Sequence, residues 1–354
     1  MDIYKSLARL LDSLPNGFPA TPDGREIRLL QRVFSQEEAA LFCELGEGAR
    51  DAESMALGTG RPVEEMEARL AAMREKGLVG SFLENGRPVY HVLPWVVGIY
   101  ENQLPRLDRE LARLWEDYRR ACAGELLTRS PALMASIPVE QSLEVVHEPL
   151  PWERLSASLE TGGSFAVADC ICRTKERLLG RGCDSPLEVC LSIHPSPDAP
   201  QEHLRGRKIS REEAWRVVSE AQKAGLVSMT ANVRNGHYFI CHCCGCCCDI
   251  LTAVRQWGMH AAVRSSFTAV LDEGLCSGCG ECEGVCQVDA LKMEEGGVRL
   301  FSQRCIGCGL CVVSCSAGAL GLARKPRQDP DGPSEDPQGW LRDRARSRGM
   351  DFSG

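Results

Sequence analysis

The chain has 354 residues, of which 44% are hydrophobic and 25% charged, with a formal charge of −8. At about 150 residues per domain this length suggests two or three domains, and the composition excludes bulk disorder. The acidic balance argues against wholesale electrostatic binding to nucleic acid or to an anionic membrane surface, since both need a basic face.

The first segment, MDIYKSLARLLDSLP, is interrupted by Asp2, Lys5, Arg9 and Asp12, so it does not read as a secretory signal. No run of about 18 apolar residues exists to cross a bilayer. A cytoplasmic location is expected, with no membrane partner. The unusual quantity is cysteine: 20 residues, all but Cys43 and Cys122 lying between Cys170 and Cys315. In a reducing compartment such clusters hold metals more often than they form disulfides.

Residues 1–125 read as helical with one hairpin. Ser35-Gln36-Glu37-Glu38 is a capping box that starts a helix over AALFCELG. A short helix follows near 52–57. Pro62 then opens a second helix, whose Met66, Leu70 and Met73 share one face. SFLENGRPVYHVL reads as two strands joined at Asn85-Gly86, a pair that readily takes positive φ. This order resembles a winged helix-turn-helix. Arg61, Arg69, Arg74 and Lys76 are, however, offset by Glu64, Glu65, Glu67 and Glu75, so DNA is not the expected partner. A dimerisation or docking module is preferred, which makes a homodimer one expected association. Leu107, Leu111, Leu114, Trp115 and Tyr118 form a further helical stripe, read as core or dimer packing.

Residues 140–265 form a second region with ten cysteines: Cys170, Cys172, Cys183, Cys190, Cys241, Cys243, Cys244, Cys246, Cys247 and Cys248. Ser210-Arg211-Glu212-Glu213 opens a helix, and VSMTANVRNGHYFI reads as a hairpin with its turn at Asn235-Gly236. Ten thiols exceed the needs of one tetrahedral or cubane site. Adjacent residues also point in different directions, so CHCCGCCC cannot aim every thiol at one metal. A further iron–sulfur cluster is the first reading, structural zinc the alternative and a reactive dithiol the third. The ligands expected to converge are Cys170, Cys172, Cys183 and Cys190 with some of CHCCGCCC. His242 reads as a hydrogen-bonding neighbour of the thiolates, and Arg173, Lys175 and Arg177 either offset their charge or form a solvated helix face.

Cys276, Cys279, Cys282 and Cys286 have the spacing C-x2-C-x2-C-x3-C, and Cys305, Cys308, Cys311 and Cys315 repeat it 29 residues later. Gly278 and Gly280 correspond to Gly307 and Gly309, and Ala290-Leu291 to Ala319-Leu320. Four-cysteine zinc sites usually separate two C-x2-C pairs by a longer loop, so zinc is the weaker reading here. The spacing resembles the bacterial two-cluster ferredoxins. That resemblance implies two [4Fe-4S] clusters with crossed ligands: cluster I on Cys276, Cys279, Cys282 and Cys315, and cluster II on Cys305, Cys308, Cys311 and Cys286. Gln287 and Ser316 depart from it, standing where a Pro usually follows the fourth Cys.

LPNGFPATPDGREIRLL, FSQEEAALF, VLPWVVGIYENQLPRLD, CHCCGCCC and the paired repeat together resemble a family of bacterial and archaeal 4Fe-4S ferredoxin-type proteins. The expected architecture is α+β: a winged-helix-like domain over 1–125, a cysteine-rich metal-binding domain over 140–265, a two-cluster ferredoxin domain over 266–324 and an exposed tail over 325–354. The expected function is single-electron exchange with a redox partner protein, as a carrier or subunit rather than a stand-alone enzyme. The alternatives are a redox-sensing regulator working through the winged helix and an iron–sulfur reductase whose central cluster binds substrate. No acid–base constellation or dinucleotide fingerprint stands out.

Overall fold

A computed structural model of the chain describes residues 2–143, 149–199, 205–326 and 332–351. The chain forms two compact units, Met1–Leu126 with Arg344–Gly354, and Leu127–Asp343.

In the first unit helices Ile3–Ser13, Arg25–Val33 and Gln36–Leu45 precede strand Ala49–Asp51, helices Ala52–Thr59 and Val63–Glu75, and strands Val79–Glu84 and Arg87–Val92. The capping box forms in both directions: Glu38 N donates to Ser35 Oγ at 3.2 Å, and Ser35 N donates to Glu38 Oε2 at 2.8 Å. Met66, Leu70 and Met73 are buried, as their spacing requires. The hairpin closes on the pair Glu84–Arg87, leaving Asn85 and Gly86 as a two-residue turn with φ of 51° and 78°. Strand Ala49–Asp51 pairs with the free side of Arg87–Val92. Pro105 lies in a 3₁₀ turn, and the long helix begins only at Arg109, where Asp108 caps it by accepting from Leu111 N at 2.9 Å. Its Leu111, Trp115 and Tyr118 are buried.

The second unit is organised by a seven-stranded sheet in the order Val263–Arg264, Met134–Ile137, Val227–Ala231, Phe239–Cys243, Glu188–His194, Ser164–Asp169, Arg207–Ile209. Its pairs are antiparallel except the first, which is parallel. Helix Arg211–Lys223 starts where Ser210 Oγ accepts from Glu213 N. The hairpin expected to end near Ile240 runs on to Cys243, pairing Val227 with Cys243 and Met229 with Cys241, so the first part of CHCCGCCC is strand.

The C-terminal repeat is two copies of a short helix between strands. Helices Glu281–Val285 and Leu310–Val313 lie between the sheet Phe267–Leu271 with Leu320–Arg324 and the sheet Leu291–Glu294 with Gly297–Leu300.

The segment after 325 is not wholly the exposed tail expected. Pro337–Ser347 is a helix, and Trp340 is buried with its indole N–H donating to Ala132 O at 3.1 Å. One large aromatic side chain supplies the apolar area that its Pro- and Asp-rich surroundings lack. Residues 327–331 and 352–354 of that tail lie outside the described residues. Among the described residues no helix is long and apolar enough to cross a membrane.

Candidate metal centres

The eight C-terminal cysteines surround two separate cavities. One is lined by Cys276, Cys279, Cys282 and Cys315. The other is lined by Cys286, Cys305, Cys308 and Cys311. Each thus draws three cysteines from one half of the repeat and the fourth from the other. The remaining walls are mostly apolar, with Leu271, Val298 and Leu320 beside Ser277, Glu281 and Ser314 around the first, and Ile306, Leu310 and Leu322 around the second. Amides point at the sulfurs in matching places: Ala290 N donates to Cys286 Sγ at 3.2 Å, and Ala319 N to Cys315 Sγ at 3.3 Å. The repeated Ala-Leu of the sequence therefore places one amide–sulfur bond in each half, which stabilises a negatively charged ligand. Burial pushes the Cys308 thiol up to about 12 and raises Cys311 and Cys282 as well, so these thiols stay protonated until a metal displaces the proton.

The ten central thiols fall into two groups. Cys183, Cys244, Cys246 and Cys247 form a quartet whose Sγ atoms all lie within 4.8 Å of one another. Within it Cys183–Cys244 is 3.8 Å, Cys183–Cys247 3.7 Å and Cys246–Cys247 3.6 Å. Gly245, Cys246 and Cys247 form a turn directly after the strand, folding three thiols to one point. Cys183 is brought in by its loop, where the exposed Arg177 donates to Cys183 O at 3.2 and 3.0 Å.

The other six, Cys170, Cys172, Cys190, Cys241, Cys243 and Cys248, are neighbours in the fold, but no three of their sulfurs lie within 4.8 Å of one another. Strand period explains half of this placement. Cys241 and Cys243 project from one face of their strand, and the pairing of Leu191 with Ile240 sets Cys190 beside Cys241. Two helix starts explain the rest. Cys170 caps helix Ile171–Leu178, Cys172 lies in its first turn, and Cys248 caps helix Asp249–Trp257. Of the thiols expected to converge, the structure brings Cys183 together with Cys244, Cys246 and Cys247, while Cys170, Cys172 and Cys190 lie outside that group. A loop residue is free of the strand register that fixes the others.

The alternative of a solvated face for Arg173 and Lys175 does not hold, because both are fully buried. Arg173 donates through Nη2 to Cys244 Sγ at 3.6 Å and to His242 O at 3.3 Å, and through Nη1 to Pro186 O. Burial opposes its charge, but the neighbouring Cys170 and Cys244 sulfurs outweigh that and hold it protonated. Lys175 pairs with Asp249 and with Glu176 at 3.0 Å. Cys244 is pulled down to about 4, first by the hydrogen bond from Cys247 and then, against burial, by Arg173. Cys241 is pulled down to about 6 by the bonds from Cys190 and Cys243. His242 points to the other face of its strand, where its Nδ1 lies 3.1 Å from Ser228 Oγ. Burial, then Arg173, pushes it down to about 3, so it stays neutral.

The two halves of the second unit meet at the cysteines. Gln287, directly after Cys286, accepts from Gly245 N at 2.7 Å and donates to Gly225 O at 2.9 Å. A Cβ on Gly245 would come within 2.0 Å of Gln287 O, so only glycine fits between Cys244 and Cys246. Val139 N donates to Cys308 O at 3.0 Å. The residue that departs from the usual Pro is therefore a tie between the two cysteine regions, which nothing in the sequence signalled.

A family model described as a 4Fe-4S dicluster domain matches residues 268–316. The chain carries two [4Fe-4S] clusters in this repeat, and the further cysteine groups allow another metal centre. No curated protein and no solved structure matches the chain.

Proposed function

We propose that this protein is a one-electron carrier, with cluster I held by Cys276, Cys279, Cys282 and Cys315 and cluster II by Cys286, Cys305, Cys308 and Cys311. The reading rests above all on the two cavities, each lined by four cysteines drawn from both halves of the repeat. When bound, such clusters supply reversible single-electron chemistry at low potential. The chain holds them among mostly apolar side chains and aims Ala269 N, Ala290 N, Gly307 N and Ala319 N at ligand sulfurs. Cys279 is exposed and is flanked by the exposed carboxylates Asp272, Glu273 and Glu281, so the redox partner is taken to dock there with a basic face.

The quartet of Cys183, Cys244, Cys246 and Cys247 is proposed as a further metal centre. Of the two occupants expected, an iron–sulfur cluster and zinc, its distances suit one tetrahedral ion, because bonds of about 2.3 Å give sulfur–sulfur edges of about 3.8 Å. Gln287 then ties this centre to the Cys286 side of cluster II.

The N-terminal unit is proposed as a winged-helix-like docking module, on the order of its helices and the strand Ala49–Asp51 that completes its sheet. Its basic side chains are engaged: Arg61 and Arg69 share Glu37 and Glu65, and Lys76 pairs with Glu38. Duplex DNA should accordingly bind no tighter than about 1 µM at physiological salt, irrespective of sequence or redox state. A footprint at nanomolar protein would favour the regulator.

The test of the carrier is a reductive titration of the anaerobically purified chain followed by paramagnetic resonance. About two electrons should be taken up reversibly, with signals of two interacting clusters. Uptake without reversal would overturn it.

A further inference from the structure

We infer that the cleft between helix Leu155–Thr161 and the hairpin turn at 234–238 binds a small aromatic carboxylate, with the carboxylate on Arg234, the ring against Trp152 and Tyr238, and a ring hydroxyl or N–H at Ser158.

The cleft belongs wholly to the second unit and has a volume of about 200 Å³. A cavity of about 150 Å³ holds a benzene, so this volume takes one ring with one or two substituents. Its walls combine flat apolar surface, from Trp152, Ile193 and the 38%-exposed Tyr238, with the polar groups of Ser158, Arg234 and His237. A largely apolar hollow with a few converging polar groups is what small-molecule sites share.

The polar groups select the ligand. Arg234 is placed by the turn, where its own N donates to Ser334 O at 2.9 Å and Asn235 N donates to Glu335 O at 3.0 Å. Its guanidinium lies over the Trp152 ring, 5.7 Å from the centroid, so cation and aromatic surface adjoin. Arg234 pairs with Glu335 at 3.6 Å, and with the two side chains 46% and 66% exposed this bridge contributes little. A carboxylate that takes the guanidinium fork through two parallel bonds forms the stronger pair. His237 Nε2 lies 3.0 Å from Val233 O, which can only accept, so this nitrogen carries the proton. Burial lowers His237 from its ordinary 6.5, which keeps the ring neutral and its Nδ1 bare. Ser158 Oγ, 2.8 Å from that Nδ1, therefore donates to it, and the lone pairs left on Ser158 Oγ accept from a donor on the ligand.

The inner wall points the same way. Trp152 and His237 also bound a smaller hollow of about 20 Å³, lined further by Ser136, Thr230 and Asn232. Asn232 is wholly buried, and neither its amide oxygen nor its amide nitrogen has a partner among the described residues; Ser136 Oγ has none either. Buried polar groups are almost always bonded, so unused hydrogen-bonding capacity at the back of a cleft marks that wall as made for a polar occupant and not as packed core. This site does not depend on the electron-carrier reading.

The test uses the full chain, purified anaerobically, with p-hydroxybenzoate as the probe and equilibrium dialysis as the measurement. One molecule per chain should bind with a Kd of about 0.1–1 mM, a range open to a ligand of about ten non-hydrogen atoms. Phenol, which lacks the carboxylate, and acetate, which lacks the ring, should each bind at least about tenfold more weakly. Arg234→Gln, at an exposed position whose loss the fold tolerates, should weaken p-hydroxybenzoate about tenfold or more. Ser158→Ala should weaken p-hydroxybenzoate about fivefold yet leave benzoate, which has no ring donor, unchanged, a split that a merely structural role would not give. The resonance of the C-terminal clusters should be the same in both variants. No saturable binding up to about 10 mM, or equal affinity in wild type and Arg234→Gln, or equal weakening of benzoate and p-hydroxybenzoate by Ser158→Ala, would overturn the site. Loss of the C-terminal resonance in the wild type would count against the carrier alone.

Discussion

In the C-terminal repeat, tight glycine-bearing loops stand the thiols around two pockets, each lined by four of them, no three of whose sulfurs lie within 4.8 Å of one another. In the centre, the end of a strand, the turn at Gly245 and the loop of Cys183 bring four thiols into contact, at 3.6–3.8 Å. The difference bears on what each can hold. Separated thiols leave room for a core of iron and sulfide, while thiols in contact enclose single ions. It also bears on how each is encoded, because the repeat is specified by local spacing and the centre by register between distant strands.

The comparison breaks most sharply on cluster ligation. Cys315→Ser should abolish or severely disturb the signal of cluster I, and Cys286→Ser that of cluster II, since each cavity takes its fourth thiol from the opposite half. Paramagnetic resonance of the two variants checks it; each affecting the cluster of its own loop would show the ligands uncrossed.

A second contrast is charge. The repeat stabilises its thiolates with backbone amides, whereas the centre uses one buried cation, Arg173, bonded to Cys244 Sγ. Arg173→Met should therefore weaken metal binding at the quartet roughly 10- to 100-fold, as loss of a partner behind the ligands does elsewhere. Competition with a chromogenic chelator measures it. The C-terminal clusters should stay at full occupancy; if both regions lose metal equally, Arg173 supports the fold and not the site.

Much of the local structure was legible in the sequence. The Ser35 capping box, the Asn85-Gly86 turn, the face of Met66, Leu70 and Met73 and the ligand repeat all depend on residues within a few positions of one another. The partition of the central thiols was not legible, because it rests on Cys190 lying beside Cys241 and on a loop carrying Cys183 across to the turn at Gly245. Only the need for more than one site followed, from the opposed directions of neighbours in CHCCGCCC. Trp340 is illegible for the opposite reason: its neighbours are so polar that one docking side chain is hidden among them.

The two regions are also clamped by an ion pair whose strength varies with pH. Arg324 of the repeat donates to Glu153 at 2.6 and 2.7 Å, with Glu153 almost wholly buried. Burial alone would raise the Glu153 carboxyl, but the Arg324 bonds outweigh it and hold it below its ordinary value of 4.5. A carboxyl depressed on folding contributes stability that is present above its unfolded value and lost as pH falls through the folded one. Glu153→Gln should cost about 2 kcal/mol at neutral pH, less than a fully buried pair because Arg324 keeps 21% of its side-chain exposure. The gap between variant and wild type should close as pH falls below about 4.5, followed by anaerobic denaturant unfolding. A gap independent of pH would mean that packing, not charge, is lost.

The smallest effect is expected at Gln287, and it separates the two regions most cleanly. The ferredoxin pattern accepts Pro at this position, so Gln287→Pro should leave both C-terminal clusters bound and spectroscopically intact. What it removes is the pair of hydrogen bonds to Gly245 N and Gly225 O, leaving a buried turn amide between Cys244 and Cys246 without its acceptor. At about 1 kcal/mol for each bond, the loss should appear as a destabilisation of about 1–2 kcal/mol confined to the central region. Hydrogen exchange read over residues 225–248 locates it. Because Gly245 is held against the Gln287 backbone as well, the turn should loosen without unfolding, and the quartet should release its metal faster while the strands and helix starts that carry the other six central cysteines keep their exchange protection. Equal loosening of both central groups would mean that they share one support and are not built independently.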